Sequence, residues 1–255
     1  MDENTSVTTT RRSLLAAVGG GLGVGSSAAR GAGATQDDSQ CVLVQGERCV
    51  PIRPLRSQLP VETFYEYHLP AERVMDENGA VGDGSVTYAS AGTRNLQREH
   101  TSIAFLYQGP KGTSLVFVHG SVGNPDAGAV TFQLYDMPTD GEWVVKDDLY
   151  PDPETGDIAE TNYDQWATEG DDHRIDWTWG TSGTDGGAFR GLGEEFSVTV
   201  QPAFNEAAAL YGDHYEGRIT DWQFLSGSAS LSERISLELD EPIQIRTGGC
   251  GDDDN

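Results

Sequence analysis

Apolar and polar residues alternate with a period of two along several stretches of the chain. Val130, Phe132 and Leu134 interleave with Thr131, Gln133 and Tyr135. Phe196, Val198 and Val200 interleave with Ser197, Thr199 and Gln201, and Ile235, Leu237 and Leu239 with Ser236, Glu238 and Asp240. One apolar face per strand is the mark of a half-buried antiparallel sheet. Ile103–Tyr107 and Leu115–Val118 are apolar on both faces, as central strands are, and Gly109-Pro110-Lys111-Gly112 between them is hairpin-turn chemistry. Shorter strands are predicted near Phe64–Leu69, Ser85–Ala89, Trp143–Lys146, Arg174–Trp179, Arg218–Phe224 and Ile243–Arg246. Asn205–Tyr211 reads as a helix, capped by Asn205 and stopped by Gly212. The pattern therefore predicts an all-β fold, an antiparallel two-sheet β-sandwich of about ten strands with one short helix.

The sandwich occupies residues 61–247, long enough for a sizeable core. Residues 35–60, broken by Pro51, Pro54 and Pro60, read as an irregular N-terminal segment, and 248–255 as a glycine-rich acidic tail. Before them, Thr10-Arg11-Arg12-Ser13-Leu14-Leu15 resembles the twin-arginine export motif, with Arg11 and Arg12 ahead of a short apolar stretch and Ala32-Gly33-Ala34 as a cleavage site. That resemblance implies a signal peptide over residues 1–34, export as a folded chain, and a mature protein secreted or held at the cell surface. No segment carries the roughly 20 apolar residues of a membrane-spanning helix, so membrane insertion is not expected.

Charge sharpens this picture. Acidic residues number 41 against 16 lysines and arginines, a formal net charge of −25, and only Lys111 and Lys146 are lysines. An acidic excess spread along a lysine-poor chain resembles haloarchaeal proteins, whose carboxylates stay hydrated where molar salt screens their repulsion over about 3 Å. The same charge argues against nucleic acid as a partner.

Three cysteines in an exported chain can form a disulfide. Three pairings are open. Cys41 with Cys49 is favoured, closing a small hairpin around Gln45-Gly46 within residues 35–60, with Cys250 left over.

Candidate chemistry is sparse. Leu115-Val116-Phe117-Val118-His119-Gly120 resembles the strand and His-Gly turn of α/β-hydrolases. The nucleophile elbow that fold needs is missing, the nearest match being Tyr88-Ala89-Ser90-Ala91-Gly92, ahead of the strand. The histidines form no local metal-ligand pair. His173 beside Asp172 has the form of a catalytic pair, in a chain where a neighbouring carboxylate is close to expected. Asp152, Glu154 and Asp157 surround Gly156 in a turn-rich loop whose oxygens suit calcium, the one cofactor the sequence suggests; none is required. Asp76-Glu77 with Asp83, and Asp171-Asp172 with Asp176 and Asp185, are weaker versions of the same idea. Trp177 and Trp179 share a face with Ile175 and read as core, whereas Trp166, among polar residues, is the candidate for an exposed aromatic role. The glycine-dense stretch 180–193 reads as a surface loop.

The expected function is that of a non-catalytic extracellular or cell-surface binding or structural domain, with a surface protein or glycan as partner. The alternative is a secreted hydrolase whose carboxylate pair assembles only in the fold.

Overall fold

The computed structural model describes residues 41–68, 88–123, 125–147, 163–212, 215–228 and 231–251. All lie within one compact unit, Asp38–Asn255. Among the described residues there are sixteen strands and one α-helix. These are β1 (Cys41–Gln45), β2 (Arg48–Ile52), β3 (Leu55–Arg56), α1 (Val61–Tyr65), β4 (Tyr67–His68), β5 (Ala89–Ser90), β6 (Thr101–Gly109), β7 (Gly112–Gly120) and β8 (Gly128–Tyr135). There follow β9 (Glu142–Lys146), β10 (Gln165–Ala167), β11 (His173–Trp179), β12 (Thr184–Arg190), β13 (Ser197–Phe204), β14 (Asp221–Ser228), β15 (Leu231–Leu237) and β16 (Ile243–Thr247).

The first sheet runs β10-β11-β8-β13-β16-β1-β2, the second β15-β14-β6-β7-β12-β9 with β3 also on β6, and β4 pairs with β5 in a third. The all-β class holds; the strand count and the purely antiparallel pairing do not. β14 and β3 both run parallel to β6, sharing one of its edges: β14 along Thr101–Phe105, β3 along Tyr107–Gln108.

Alternating residues of the two large sheets meet in one apolar core. Val130, Phe132, Ile175 and Trp177 come from the first sheet; Leu106, Phe117, Trp222 and Phe224 come from the second. The second sheet is apolar on its other face too. There Ile103, Phe105, Tyr107, Val116 and Val118 are covered by Leu55, Val61, Tyr65 and Leu96. The two-faced hydrophobicity of β6 and β7 thus reflects a cover supplied by the chain before them. Glu62 of α1 pairs with Arg190 of β12 and Lys111 of the β6–β7 turn, fastening that cover at its rim.

Five further expectations are corrected. The strand predicted near Phe64–Leu69 begins inside α1, which buries Val61 and Tyr65 one turn apart, and only Tyr67–His68 is strand. Residues 41–56 are not irregular: β1 sits between β16 and β2 inside the first sheet, and the prolines fall at its edge and beyond. Cys49 bonds Cys250, not Cys41. The β1–β2 hairpin does form, but its register sets Cys41 opposite Ile52 and Cys49 opposite Val44. Cys41 and Val44 are three residues apart, so Cys41 and Cys49 project from opposite faces. Cys41 is buried in the core.

The glycine-dense stretch contains an inner strand, β12, between β7 and β9. A Cβ at Gly186, whose φ is +153°, would lie 2.1 Å from the Phe117 carbonyl oxygen. Glycine there lets two backbones close, rather than loosening a loop.

The predicted helix at Asn205 is a single 3-10 turn, Asn205–Ala207. Asn205 adopts φ +56° and its amide makes a two-way bridge to Ile219: Nδ2 donates to the Ile219 carbonyl at 3.0 Å and Oδ1 accepts the Ile219 N–H at 2.8 Å. It anchors a loop instead of capping a helix. Asn205→Ala strands both groups and should cost about 1–3 kcal/mol in a denaturant titration; Asn205→Asp, which keeps the acceptor, should cost less.

Candidate functional site

The more enclosed of two concave features lies where the two large sheets end side by side, with edge strand β9 facing β10 and β11. Sequence alternation would put Trp143 and Lys146 on opposite faces, since they are three apart. The β9–β12 ladder contains a register shift: Phe189 pairs with Trp143 but Ala188 with Val145, leaving Val144 as an extra residue. That bulge turns Trp143 and Lys146 to the same side. A cleft of about 350 Å³ results, with Trp143, His173 and Phe189 deep in it and Glu142, Lys146 and Thr168 around the rim.

The aromatic side of the cleft is continuous with the core. Trp143 meets Phe189, Trp166 and Trp177 edge to face, at 5.5, 5.2 and 6.4 Å between ring centres. Each such pair adds about 0.5–1.5 kcal/mol beyond simple burial. Trp166 is therefore half-buried support behind Trp143 rather than an exposed platform. β10 is three residues long and turns its middle side chain inward, where Lys146 Nζ stands 5.7 Å above the ring. Gln165 and Ala167 on either side point outward and give the segment its polar look.

His173 is buried at the base of the cleft with both ring nitrogens committed. Trp143 Nε1–H donates to Nδ1 at 3.1 Å. Nε2 lies 3.2 Å from the Gly170 carbonyl oxygen, which can only accept, so Nε2 carries the proton. This fixes a neutral tautomer, and burial lowers the pKa from its ordinary value. Asp172, its sequence neighbour, is exposed and takes no part in these bonds.

A second, more open groove of about 600 Å³ lies between residues 125–127 and 216–220. Asp126, Glu216 and Arg218 line it with His100, which holds φ +54° and donates from Nδ1 to the Arg218 carbonyl at 3.1 Å. Gly217 packs against Ala127 so tightly that a Cβ would fall 1.8 Å from its carbonyl oxygen. Neither groove combines two carboxylates with a broad aromatic floor.

Other candidate groups are spent inside the fold. His119 is fully buried at the end of β7, with Nδ1 2.7 Å from Ser102 Oγ and its ring against Phe132 and Trp177. Desolvation lowers its pKa to about 3. Asp185 accepts the N–H groups of Thr178 and Gly186, and Asp176 accepts Thr131 Oγ1–H and Arg174. Asp171 and Asp172 are exposed, so this acidic group does not converge. Among the described residues no three His, Cys, Asp or Glu side chains are placed to hold a metal. Asp152, Glu154, Asp157, Asp76, Glu77, Asp83, Arg11 and Arg12 lie outside the described residues.

The two buried imidazoles make stability depend on pH. Both folded-state pKa values lie below the ordinary 6.5, so the stability they permit is present above that value and drains away as pH falls toward the folded pKa. His119 alone should cost about 2 kcal/mol between pH 7 and pH 5, at 1.36 kcal/mol per pH unit. Denaturant titrations of wild type and His119→Gln should show a shallower acid loss in the variant; parallel pH curves would count against this role.

No protein-family model, curated protein or solved structure matches the chain.

Proposed function

We propose that the chain is an exported, halophilic β-sandwich protein that acts outside the membrane as a non-catalytic binding or structural domain at the cell surface. The observation that carries this reading is the state of His173. It is the imidazole at the base of the aromatic cleft, and its two nitrogens are both occupied by the chain itself. A general base needs a free lone pair within hydrogen-bond reach of its substrate. Here that lone pair holds Trp143 in place, and the imidazole serves as scaffold. Asp176 and Asp185 are consumed in hydrogen bonds deeper in the fold, and His119, bonded through Nδ1 to Ser102, is sealed from any substrate by complete burial. No helix among the described residues is long and apolar enough to cross a membrane.

The test has two parts. In producing cells the chain should fractionate with the envelope or medium, and Arg11→Lys with Arg12→Lys should hold it in the cytoplasm. Purified chain in molar potassium chloride should leave oligosaccharide, ester and peptide substrates unchanged. The competing hydrolase reading rests on Asp126 and Glu216 sharing one groove. Turnover that disappears in Asp126→Asn or Glu216→Gln would replace the present reading with that one.

A further inference from the structure

We propose that the cleft between β9, β10 and β11 binds one ring of a neutral sugar. This deepens the reading of a non-catalytic binding domain and rests on it.

Size, floor and charge each narrow the ligand. A volume of about 350 Å³ is at the small end for ligand sites, suited to a single ring or a compact pair. The aromatic floor reaches the opening at Trp143, which is half-buried, with His173 and Phe189 buried beneath it. Aromatic faces take up the C–H face of a pyranose by burying apolar surface, a favourable exchange of about 25 cal/mol per Å². Trp143 is rigid before any ligand arrives. Its indole N–H is bonded to His173, and three aromatic rings meet it edge to face. A wall that need not be ordered on binding loses less entropy to association.

The rim offers a carboxylate, an ammonium and a hydroxyl, from Glu142, Lys146 and Thr168. Those are the acceptor and donor types that hydroxyl-rich ligands need. The rim carries one carboxylate, itself paired with Arg190, and one ammonium. In molar salt only charges at the rim itself act on a ligand: an anionic sugar would meet the Glu142 carboxylate, and a cationic one the Lys146 ammonium over Trp166. A neutral ring suffers neither penalty. The bulge at Val144 is what brings the floor residue and the ammonium to one side, so the sheet is distorted where the cleft is built.

The experiment is a titration of the full chain in molar potassium chloride, read by tryptophan fluorescence and by the NMR signal of the Trp143 indole N–H. The probes are neutral hexoses and disaccharides, an insoluble neutral polysaccharide, a uronate and an amino sugar. A neutral probe should bind with a Kd of roughly 1 mM. The uronate and amino sugar should bind at least tenfold more weakly, and the indole signal should shift. Thr168→Trp, which fills the mouth, and Lys146→Ala should each weaken binding about tenfold or more while near-ultraviolet circular dichroism stays unchanged. Asp126→Asn in the other groove should leave the affinity as it was. Binding of the polysaccharide alone would assign the cleft to a chain segment, and binding of free disaccharide to a soluble ligand; either supports the proposal. Absence of binding by every neutral probe, or binding indifferent to Thr168→Trp, overturns it. Turnover of a bound sugar would sink the non-catalytic reading and leave the cleft standing; silence without turnover does the reverse.

Discussion

Reduction of the Cys49–Cys250 bridge should lower the stability of the folded chain by about 5 kcal/mol, the loop-closure entropy restored to an unfolded chain freed from a link this long. The cysteines are 201 residues apart in sequence, so the bridge closes nearly the whole fold into one loop. A Cys41–Cys49 bridge would have closed only a hairpin and given less. Guanidinium titrations with and without reductant measure the difference. Cys250→Ala should abolish the response to reductant. Cys41→Ala should keep it, and should show only the smaller loss that comes from trimming a buried side chain. A full reductant response in Cys250→Ala would reinstate the short pairing.

Transfer from molar to tenth-molar monovalent salt should unfold the domain or remove much of the roughly 5–15 kcal/mol that holds a domain together. The net charge of −25 is screened over about 3 Å in the first condition and about 10 Å in the second. Neighbouring surface carboxylates that ignore one another at high salt then repel. Ion pairs that relieve this are few because cations are few: Arg190 serves both Glu62 and Glu142, and Lys111 shares Glu62. A thermal melt across a salt series decides the point, and a flat melting temperature would remove the halophilic reading. A calcium arm at matched ionic strength addresses Asp152, Glu154 and Asp157. An ion that binds only the folded chain raises the melting temperature by mass action, beyond what sodium gives. Asp152→Asn with Asp157→Asn should erase any such excess.

The long alternating strands were legible because a period of two over six residues leaves little choice of face. β8, β11, β13 and β16 came through, as did the two-faced β6 and β7, while of the stretch predicted over Ile235–Asp240 only Ile235–Leu237 is strand, the end of β15. What was lost depended on partners distant in sequence. β12 carries Gly186 and Gly187 where a strand usually carries branched side chains, because Phe117 and the rings of Trp143 and Trp166 occupy that space. Asn205 has the residue type of a helix cap, and only Ile219, fourteen positions on, shows what its amide is for. The cleft was invisible for a different reason. Its two defining side chains, Trp143 and Lys146, share a face only through the bulge at Val144, and no alternation rule anticipates a bulge. In sequence His173 stands out by the carboxylate beside it, whereas its working partners are Trp143 and a backbone carbonyl. The disulfide was closer to hand. Placing the hairpin turn at Gly46-Glu47 puts Cys41 and Cys49 on opposite faces by counting alone.

The position of that bridge also sets how the folded unit responds to tension. β1 runs antiparallel to β16, with Cys41 beside Thr247, so a pull on the two ends would load their ladder as a zipper, one rung after another. Peeling can proceed only as far as Cys49. Beyond it the load passes through sulfur to Cys250, and the intervening chain bears none of it. The extension available before that stop is the reach of β1 and its turn, about 30 Å at 3.3–3.6 Å per residue. Held at both ends, the domain would behave as a short extensible lead in series with an inextensible body. A reducing environment would convert it into a tether of the full contour length.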